Sequence, residues 1–454
     1  MLLPPDMRDW LPENHLVHFV LEVVQPMDPC EFKVNSRGTG SRQYPPSMML
    51  ALLVYCYATG RFSSRMIEAA SYDDVAVRYI CAGEHPDHDT ICAFRRVNRK
   101  AFEKFFVHVL EVAVHSGVLK KVGTVSVDGT KLKANASKHS AMSHGRAQQI
   151  LEELEKEVAL LTEKAEQADA QSQAQCQTQL PDEIARRDKR AASIRKAVEV
   201  IEAREREKCR REQQRRDALA RERQERRERG ERVGGHEPQP VEDKVDPKAQ
   251  YNFTDPESRI MKTRGGFDQC YNGQAAVETQ SMLVVANSLS NRPNDHGQLV
   301  SMVDKASDNG FTSERVLADS GYYSEEEVGQ LESKGIDARV AVGRQAHSRS
   351  LDVIFGEEQQ SEVAPEGETA KERMRRKVGS KEGRKLYGLR KQTVELVFGI
   401  IKGGMRFRQC LMRGLENVSS EWNLVCGCYN VKRLFNLLST GAGSGLADLK
   451  KKPA

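Results

Sequence analysis

From residue 16 to about residue 113, apolar side chains recur at helical spacing. Leu16, Val17, Val20, Leu21 and Val24 form one stripe behind a predicted Asn14 cap. Pro45-Pro46-Ser47 opens a second helix that Gly60 closes, and Ser63 or Ser64 caps a third carrying Met66, Ile67 and Ala70. A fourth runs through Val75, Val77 and Ile80. The loop 83–87 leads into a helix with Phe94-Arg95-Arg96, then a longer one buried along Phe102, Phe105, Phe106, Val109, Leu110 and Ala113. From Lys121 the apolar period falls from about 3.6 residues to about two. Gly123-Thr-Val-Ser-Val-Asp128 alternates, is rich in β-branched residues, and predicts a strand ended by Gly129. Further strands are predicted at 271–278, 282–289, 316–319 and 336–342, the first two joined as a hairpin by Thr279-Gln-Ser281. Helices are predicted at 296–307, 324–334 and 387–402.

The pattern divides the chain into an all-helical N-terminal domain at 1–120, an α/β core at 121–137 and 249–440, an insertion at 138–248 and a tail at 441–454. Within the insertion, Leu151, Leu154, Val158 and Leu161 make one apolar stripe. Ile194, Ala197 and Ile201 make another, and a Gln/Ala/Ser run ending at Pro181 lies between them. An antiparallel helical hairpin follows from this. Residues 203–233 are almost all Arg, Glu and Gln, which reads as a solvated helix or arm, or as an electrostatic DNA contact. A second insertion, 344–381, begins acidic and ends basic at Lys371, Arg373, Arg375, Arg376 and Lys377. In the core, three antiparallel strands precede helix, strand, helix, strand and helix. That is the order of an RNase H-like mixed five-stranded sheet flanked by helices, an analogy that assigns a fold and no activity.

Charge alone identifies no partner. The 70 basic residues are offset by 65 acidic ones, leaving a formal net charge of +5. The Arg95–Arg96 pair sits on one of several short helices joined by tight turns, which suits a helix-turn-helix-type DNA reader or an ordinary bundle; spacing does not separate them. The N-terminus lacks a basic region followed by an apolar core, and the apolar run 48–57 is shorter than the roughly 20 residues a bilayer needs. A soluble, cytoplasmic protein with no membrane partner is expected. The ten cysteines include no C-x-x-C pair, and Cys426 and Cys428 lie in an apolar segment, so buried thiols are expected rather than zinc. His85 and His88 read as parts of a polar loop.

Three carboxylates stand where such a fold gathers its strand ends. Asp128, in Val125-Ser-Val-Asp128-Gly-Thr-Lys131, closes the first strand, and the glycine allows close backbone approach. Asp319, in Leu317-Ala-Asp319-Ser-Gly-Tyr-Tyr-Ser324, closes the fourth. Glu395 lies on the closing helix, in Tyr387-Gly-Leu-Arg390-Lys-Gln-Thr-Val-Glu395-Leu-Val-Phe-Gly-Ile-Ile-Lys402. On one continuous helix Tyr387, Lys391, Glu395 and Lys402 fall near one face, with Val394, Phe398 and Ile401 buried. Hard carboxylate oxygens suit Mg²⁺, with Mn²⁺ as a substitute. Two such ions about 4 Å apart activate an attacking oxygen and stabilise a leaving one. Asp295, in Asn291-Arg-Pro-Asn-Asp295-His, is the best rival carboxylate and is expected to cap a helix; Asp268 is weaker.

With these residues assembled, the chain resembles the DDE transposases of bacterial insertion sequences, in the branch with a Tyr-Arg-Glu-Lys signature around its third acid. The resemblance covers most of the chain, including Pro86-Asp87-His-Asp-Thr-Ile-Cys-Ala-Phe94-Arg95-Arg96, the three acids and the segment 422–436. It implies Mg²⁺-dependent cleavage at transposon ends, joining of a 3′ hydroxyl to target DNA, and pairing of two ends by a homodimer. Carried over, Asp128, Asp319 and Glu395 are the metal ligands, and Tyr387, Arg390 and Lys402 contact phosphates. One interval departs. The signature has three residues between its Arg and Glu, whereas four separate Arg390 from Glu395 and Lys391 takes the expected place. The arginine's role is therefore shared with Lys391 or moved to it. A metal-dependent nuclease of the same fold and a catalytically silent DNA-binding or coiled-coil assembly protein remain as alternatives.

Overall fold

A computed structural model describes residues 6–33, 43–170, 180–230, 234, 237, 239–242, 244–343 and 368–441. The Gln/Ala/Ser run over 171–179, the acidic part of the second insertion over 344–367 and the tail from 442 lie outside them. The chain divides into two compact units, Met1–Asn135 with Ser258–Ala454, and Ala136–Glu257.

The first unit opens with α1 (Leu16–Val24), α2 (Pro46–Ala58), α3 (Ser64–Asp73), α4 (Val75–Ile80), α5 (His88–Val97) and α6 (Arg99–His115). Local chemistry sets their starts. Asp74 Oδ1 accepts from Val77 N–H at 3.1 Å and Asp87 Oδ1 from Thr90 N–H at 2.8 Å, each satisfying a donor in the first turn. α1 is capped by His15, whose Nδ1 accepts from Val17 N–H, and not by Asn14.

β1 (Val122–Lys133) starts the sheet. The second unit then supplies β2 (Ala141–Ser143), α7 (His144–Ala170), α8 (Leu180–Glu228) and β3 (Gln250–Asn252). The first resumes with β4 (Arg259–Thr263), β5 (Gly266–Glu278), β6 (Val284–Ser290), α9 (Leu299–Asp308), β7 (Thr312–Ala318), α10 (Glu325–Ser333) and β8 (Asp337–Val340). It closes with α11 (Ala370–Gly379), α12 (Lys381–Gln392), α13 (Val394–Gly399), a π-helical turn (Ile400–Gly404) and α14 (Leu415–Ser439).

The sheet is mixed and has six strands. β5 pairs antiparallel with β1 on one side and with β6 and β4 on the other; β7 runs parallel to β1, and β8 parallel to β7. The strand beyond the expected five is β4, a short hairpin arm pairing with residues 266–270 of β5. β1 is also longer than expected. Its parallel ladder with β7 stops at Val127↔Ala318, but its antiparallel ladder with β5 continues to Lys133↔Cys270. This mixed α/β arrangement is consistent with the RNase H-like core expected above.

α14 joins the N-terminal helices and the sheet within the first unit. Trp422, Val425, Cys426, Cys428, Tyr429 and Val431 are all buried, because the helix packs on β6 and also on α1, α2 and α6. Burial on so many sides makes it a core helix, with Glu421, Asn423 and Asn430 also buried. Gly427 permits the contact with α6, since a Cβ there would lie 2.7 Å from the Phe105 ring. Asn430 extends the edge of β6, accepting from Val284 N–H and donating to Val284 C=O. The described cysteines are free thiols, and most are buried. Among the described residues, no helix is long and apolar enough to cross a membrane.

Asp337 ties α11 to the sheet. Its carboxylate takes Lys377 Nζ at 2.7 Å, Arg315 Nε at 2.8 Å and Arg339 Nε at 2.9 Å. Burial pushes this carboxyl up, but the three cations outweigh it and hold it at about 2. A depressed carboxylate stabilises the fold above its unfolded value near 4 and loses that contribution as pH falls toward 2. Asp337→Asn is therefore expected to lower stability by about 2 kcal/mol at pH 7, with the gap closing between pH 4 and 2. Urea midpoints against pH test this; a gap independent of pH would contradict it.

In the second unit, α7 and α8 form the expected antiparallel hairpin, pinned by Glu157–Arg187 at 2.8 Å and Glu155–Arg195 at 3.0 Å. Its seam is Ala147, Ile150 and Leu154 against Ala191 and Ile194, with Leu151 at the margin. Beyond Ala203, α8 stays helical to Glu228. Pairs such as Arg206–Glu202, Arg211–Glu207 and Arg216–Glu212 are spaced i,i+4. Each contributes about 0.3–0.5 kcal/mol. The interleaved glutamates thus absorb much of the arginine charge, as on a solvated helix.

Candidate functional site

Asp128 does not end its strand. It lies within β1, one residue past the last parallel pair, Val127↔Ala318. Asp319 is the residue after Ala318. The two acids therefore leave adjacent strands at the same level and on the same face, with strands about 4.8 Å apart. Asp128 Oδ1 accepts from Gly129 N–H at 2.8 Å, and its Oδ2 from Arg390 Nη1 at 3.0 Å. Asp319 Oδ1 accepts from Ser320 N–H at 2.6 Å at the head of a short 3₁₀ turn, Ser320–Tyr322. Burial pushes the Asp128 carboxyl up to about 6; Arg390 and the Gly129 N–H oppose it, and the nearby charges of Asp319 and Asp295 add to it.

The third acid arrives on a broken helix. α12 stops at Thr393, with φ −114° and ψ −90°, and α13 starts at Val394. Thr393 Oγ1 donates to Leu389 C=O at 2.9 Å, closing the end of α12. The break takes up the extra residue between Arg390 and Glu395. Arg390 is turned inward and bridges the acids, Nη1 to Asp128 and Nη2 to Glu395 Oε1 at 2.7 Å. Its side chain is 8% exposed, that of Asp128 18% and that of Glu395 43%. Arg390 Nε is buried with no hydrogen-bond partner. The Tyr387 ring lies 5.8 Å from the guanidinium, and burial pushes its phenol up.

The single face predicted for Tyr387, Lys391, Glu395 and Lys402 is corrected by this break. Lys391 is exposed, and the cation that meets the acids is Arg390. Lys402 sits in the π-helical turn and donates to Lys131 C=O at 2.7 Å, on the continuation of β1. Val394, Phe398 and Ile401 are buried as expected.

Arg95 is also corrected. It is buried and donates to Tyr57 Oη and to Phe62 C=O, each at 2.9 Å, so it braces the helical core and offers nothing to a ligand. Arg96, its neighbour, is exposed. His85 stacks on Tyr72 in the expected loop, whereas His88 opens α5 and meets Glu68.

Around Asp295, the rival carboxylate, the structure gathers Asn272, Gln274 and Tyr322, which pattern reading passed over. Asp295 caps no helix, for Gln298 stands at the N-cap of α9. Its Oδ1 instead accepts from Asn272 Nδ2 and Gln274 Nε2, both at 2.7 Å. Tyr322 Oη donates to Gln274 Oε1. The available signal was the pair of amides in Tyr271-Asn-Gly-Gln-Ala-Ala-Val277, two polar residues in a strand otherwise buried.

All three acids supply hard oxygen, the donor type a divalent cation takes, and the Arg390 guanidinium lies between Asp128 and Glu395. As the side chains stand, no group of three His, Cys, Asp or Glu residues is gathered as a metal site among the described residues.

Residues 232–431 match the family described as the transposase DDE domain, and residues 5–97 match a second family described as a transposase domain. The first match contains Asp319, Glu395, Arg390 and Asp295; Asp128 lies between the two. Nothing among curated proteins or solved structures matches the chain.

Proposed function

We propose, for a chain that belongs to the DDE transposases of insertion sequences, that it cuts DNA at the ends of its element and joins the 3′ hydroxyl to target DNA at one carboxylate site. The observation that carries this reading is the convergence of Asp128 and Glu395 on Arg390, with Asp319 beside Asp128 just past the last β1–β7 pair. Asp128, Asp319 and Glu395 would hold two Mg²⁺ ions, which supply activation of the attacking oxygen and stabilisation of the leaving one.

The chain's own residues prepare that chemistry. Strand pairing orients Asp128 and Asp319 before any ligand arrives, and a pre-oriented site loses little free energy to reorganisation. Arg390, flanked by Tyr387, holds Asp128 and Glu395 together and keeps a planar cation where phosphate oxygens would come. Lys402 steadies β1 just past Asp128, and burial pushes its ammonium below the usual lysine range. Lys391 and Arg96, both exposed, suit phosphate contacts farther from the acids. Two transposon ends require two copies of the site, so a homodimer on DNA is part of the proposal.

A nuclease of the same fold would share every one of these features. The discriminating experiment uses DNA from the borders of the coding region, as intact and pre-cut duplexes, with a supercoiled target and Mg²⁺. Cut ends plus covalently joined product are expected. Hydrolysed ends without joining would identify a nuclease, and binding without either product would identify a silent assembly protein.

A further inference from the structure

We propose that Asp295 is a positioning residue that seats the backbone bearing Asp128 and Asp319 from the reverse face of the sheet. The proposal deepens the catalytic reading above and rests on it. The ladder between β1 and β7 stops at Val127↔Ala318, one residue before the two acids. Among the described residues the β1–β7 ladder goes no further, which leaves the last step of the Asp128–Asp319 spacing to other contacts.

The register shows which. Side chains alternate along a strand, so Gly129 faces away from Asp128. Gly129 stands opposite Gln274, and Lys131 opposite Asn272, on that reverse face. Asp295 arrives there from the link between β6 and α9. Its Oδ1 takes Asn272 Nδ2 and Gln274 Nε2 at 2.7 Å, with Lys131 Nζ at 3.9 Å. Both amides are fully buried, so their donors are fixed in place. A Cβ on Gly129 would lie 2.4 Å from Asp295 Oδ1, and one on Gly321 3.6 Å from Asp295 Oδ2. Asp295 therefore wedges between the residue that follows Asp128 and the turn that follows Asp319. Tyr322, in that turn, is tied by its hydroxyl to the same Gln274. The glycine after Asp128 makes room for this carboxylate.

The test uses the full chain and four variants: Asp295→Ala, Asp295→Asn, Gly129→Ala, and the double Asp295→Ala/Gly129→Ala. Mn²⁺ binding is read by calorimetry without DNA, kcat and KM from cleavage of a pre-formed end, and folding from the melting curve. Asp295→Ala is expected to weaken Mn²⁺ binding and to lower kcat by about 10–100-fold, as loss of a group supporting metal ligands does. KM for the DNA end should stay unchanged. Asp295→Asn keeps an oxygen for both amides and should recover most of the loss. Gly129→Ala, which expels the carboxylate, should match Asp295→Ala, and the double variant should be no worse than either single one. Should Asp295→Ala not fold, Gly129→Ala carries the same expectation. A lower melting temperature with unchanged Mn²⁺ binding and kcat overturns the proposal. So does an Asp295→Asn variant as inactive as one lacking Asp319, which would make Asp295 a ligand. If the unsubstituted chain binds no Mn²⁺, the catalytic reading falls and this proposal with it; if it binds and Asp295→Ala binds equally, only the proposal falls.

Discussion

Asp319→Asn is expected to abolish both cutting and joining, a loss of about three orders of magnitude or more, while the protein folds and binds its DNA end as before. The substitution is close to isosteric. An asparagine oxygen can still accept from Ser320 N–H, a hydrogen bond the Asp319 carboxylate makes at the head of its turn. The strand that leads to it, β7, is held by β1 and β8 and owes nothing to this charge. What disappears is one negative oxygen next to Asp128, which the proposal assigns to a metal ion. Single-turnover cleavage and end binding, measured on the same preparation, check this. Cleavage at the unsubstituted rate would remove Asp319 from the site. Loss of binding in parallel with cleavage would mean that the residue serves the DNA interface instead.

Arg390→Ala should damage stability and rate together. Asp128 is buried enough for its carboxyl to rise to about 6 even with Arg390 beside it. Taking away the guanidinium leaves that charge next to Asp319 without its chief counter-ion. Breaking a buried pair from one side costs about 3–5 kcal/mol. The low end applies here, because the Glu395 half of the bridge is largely in water. Cleavage should fall by about 10²–10³-fold, the usual effect of losing one preorganised donor from a phosphoryl- or acyl-transfer site. Arg390→Lys should recover part of the stability and little of the rate, since one ammonium cannot span Asp128 and Glu395 as a planar fork does. Urea midpoints without metal and single-turnover rates decide the matter. An alanine variant of ordinary stability and full activity would show the bridge to be incidental. Lys391→Ala gives the contrast: Lys391 is exposed, so the urea midpoint should hardly move, and any loss should appear in binding of the DNA end.

Much of this protein was already legible in its residues. Alternation in Thr124-Val-Ser-Val and helical stripes such as Phe102, Phe105, Val109 and Ala113 depend on side chains near in sequence, so the main strands and helices could be located without coordinates. The carboxylates after β-branched runs, and the tyrosine, arginine and lysine around Glu395, were visible for the same reason. The tertiary structure decided what depends on distant neighbours. β1 outlasts its apparent glycine stop because β5, about 140 residues on, keeps pairing with it. The cation beside Glu395 is Arg390 and not Lys391 because the helix breaks at Thr393, and a continuous 3.6-residue period assumes no break. Arg95 and Arg96 are adjacent and chemically alike, yet Tyr57 and Phe62 bury one while the other faces water. Gly129 and Asp295 meet across 166 positions of chain, and no local pattern records that contact. Sequence carries the periodicities that single elements need; which face a charge ends on, and what meets it there, is set only when the elements close on one another.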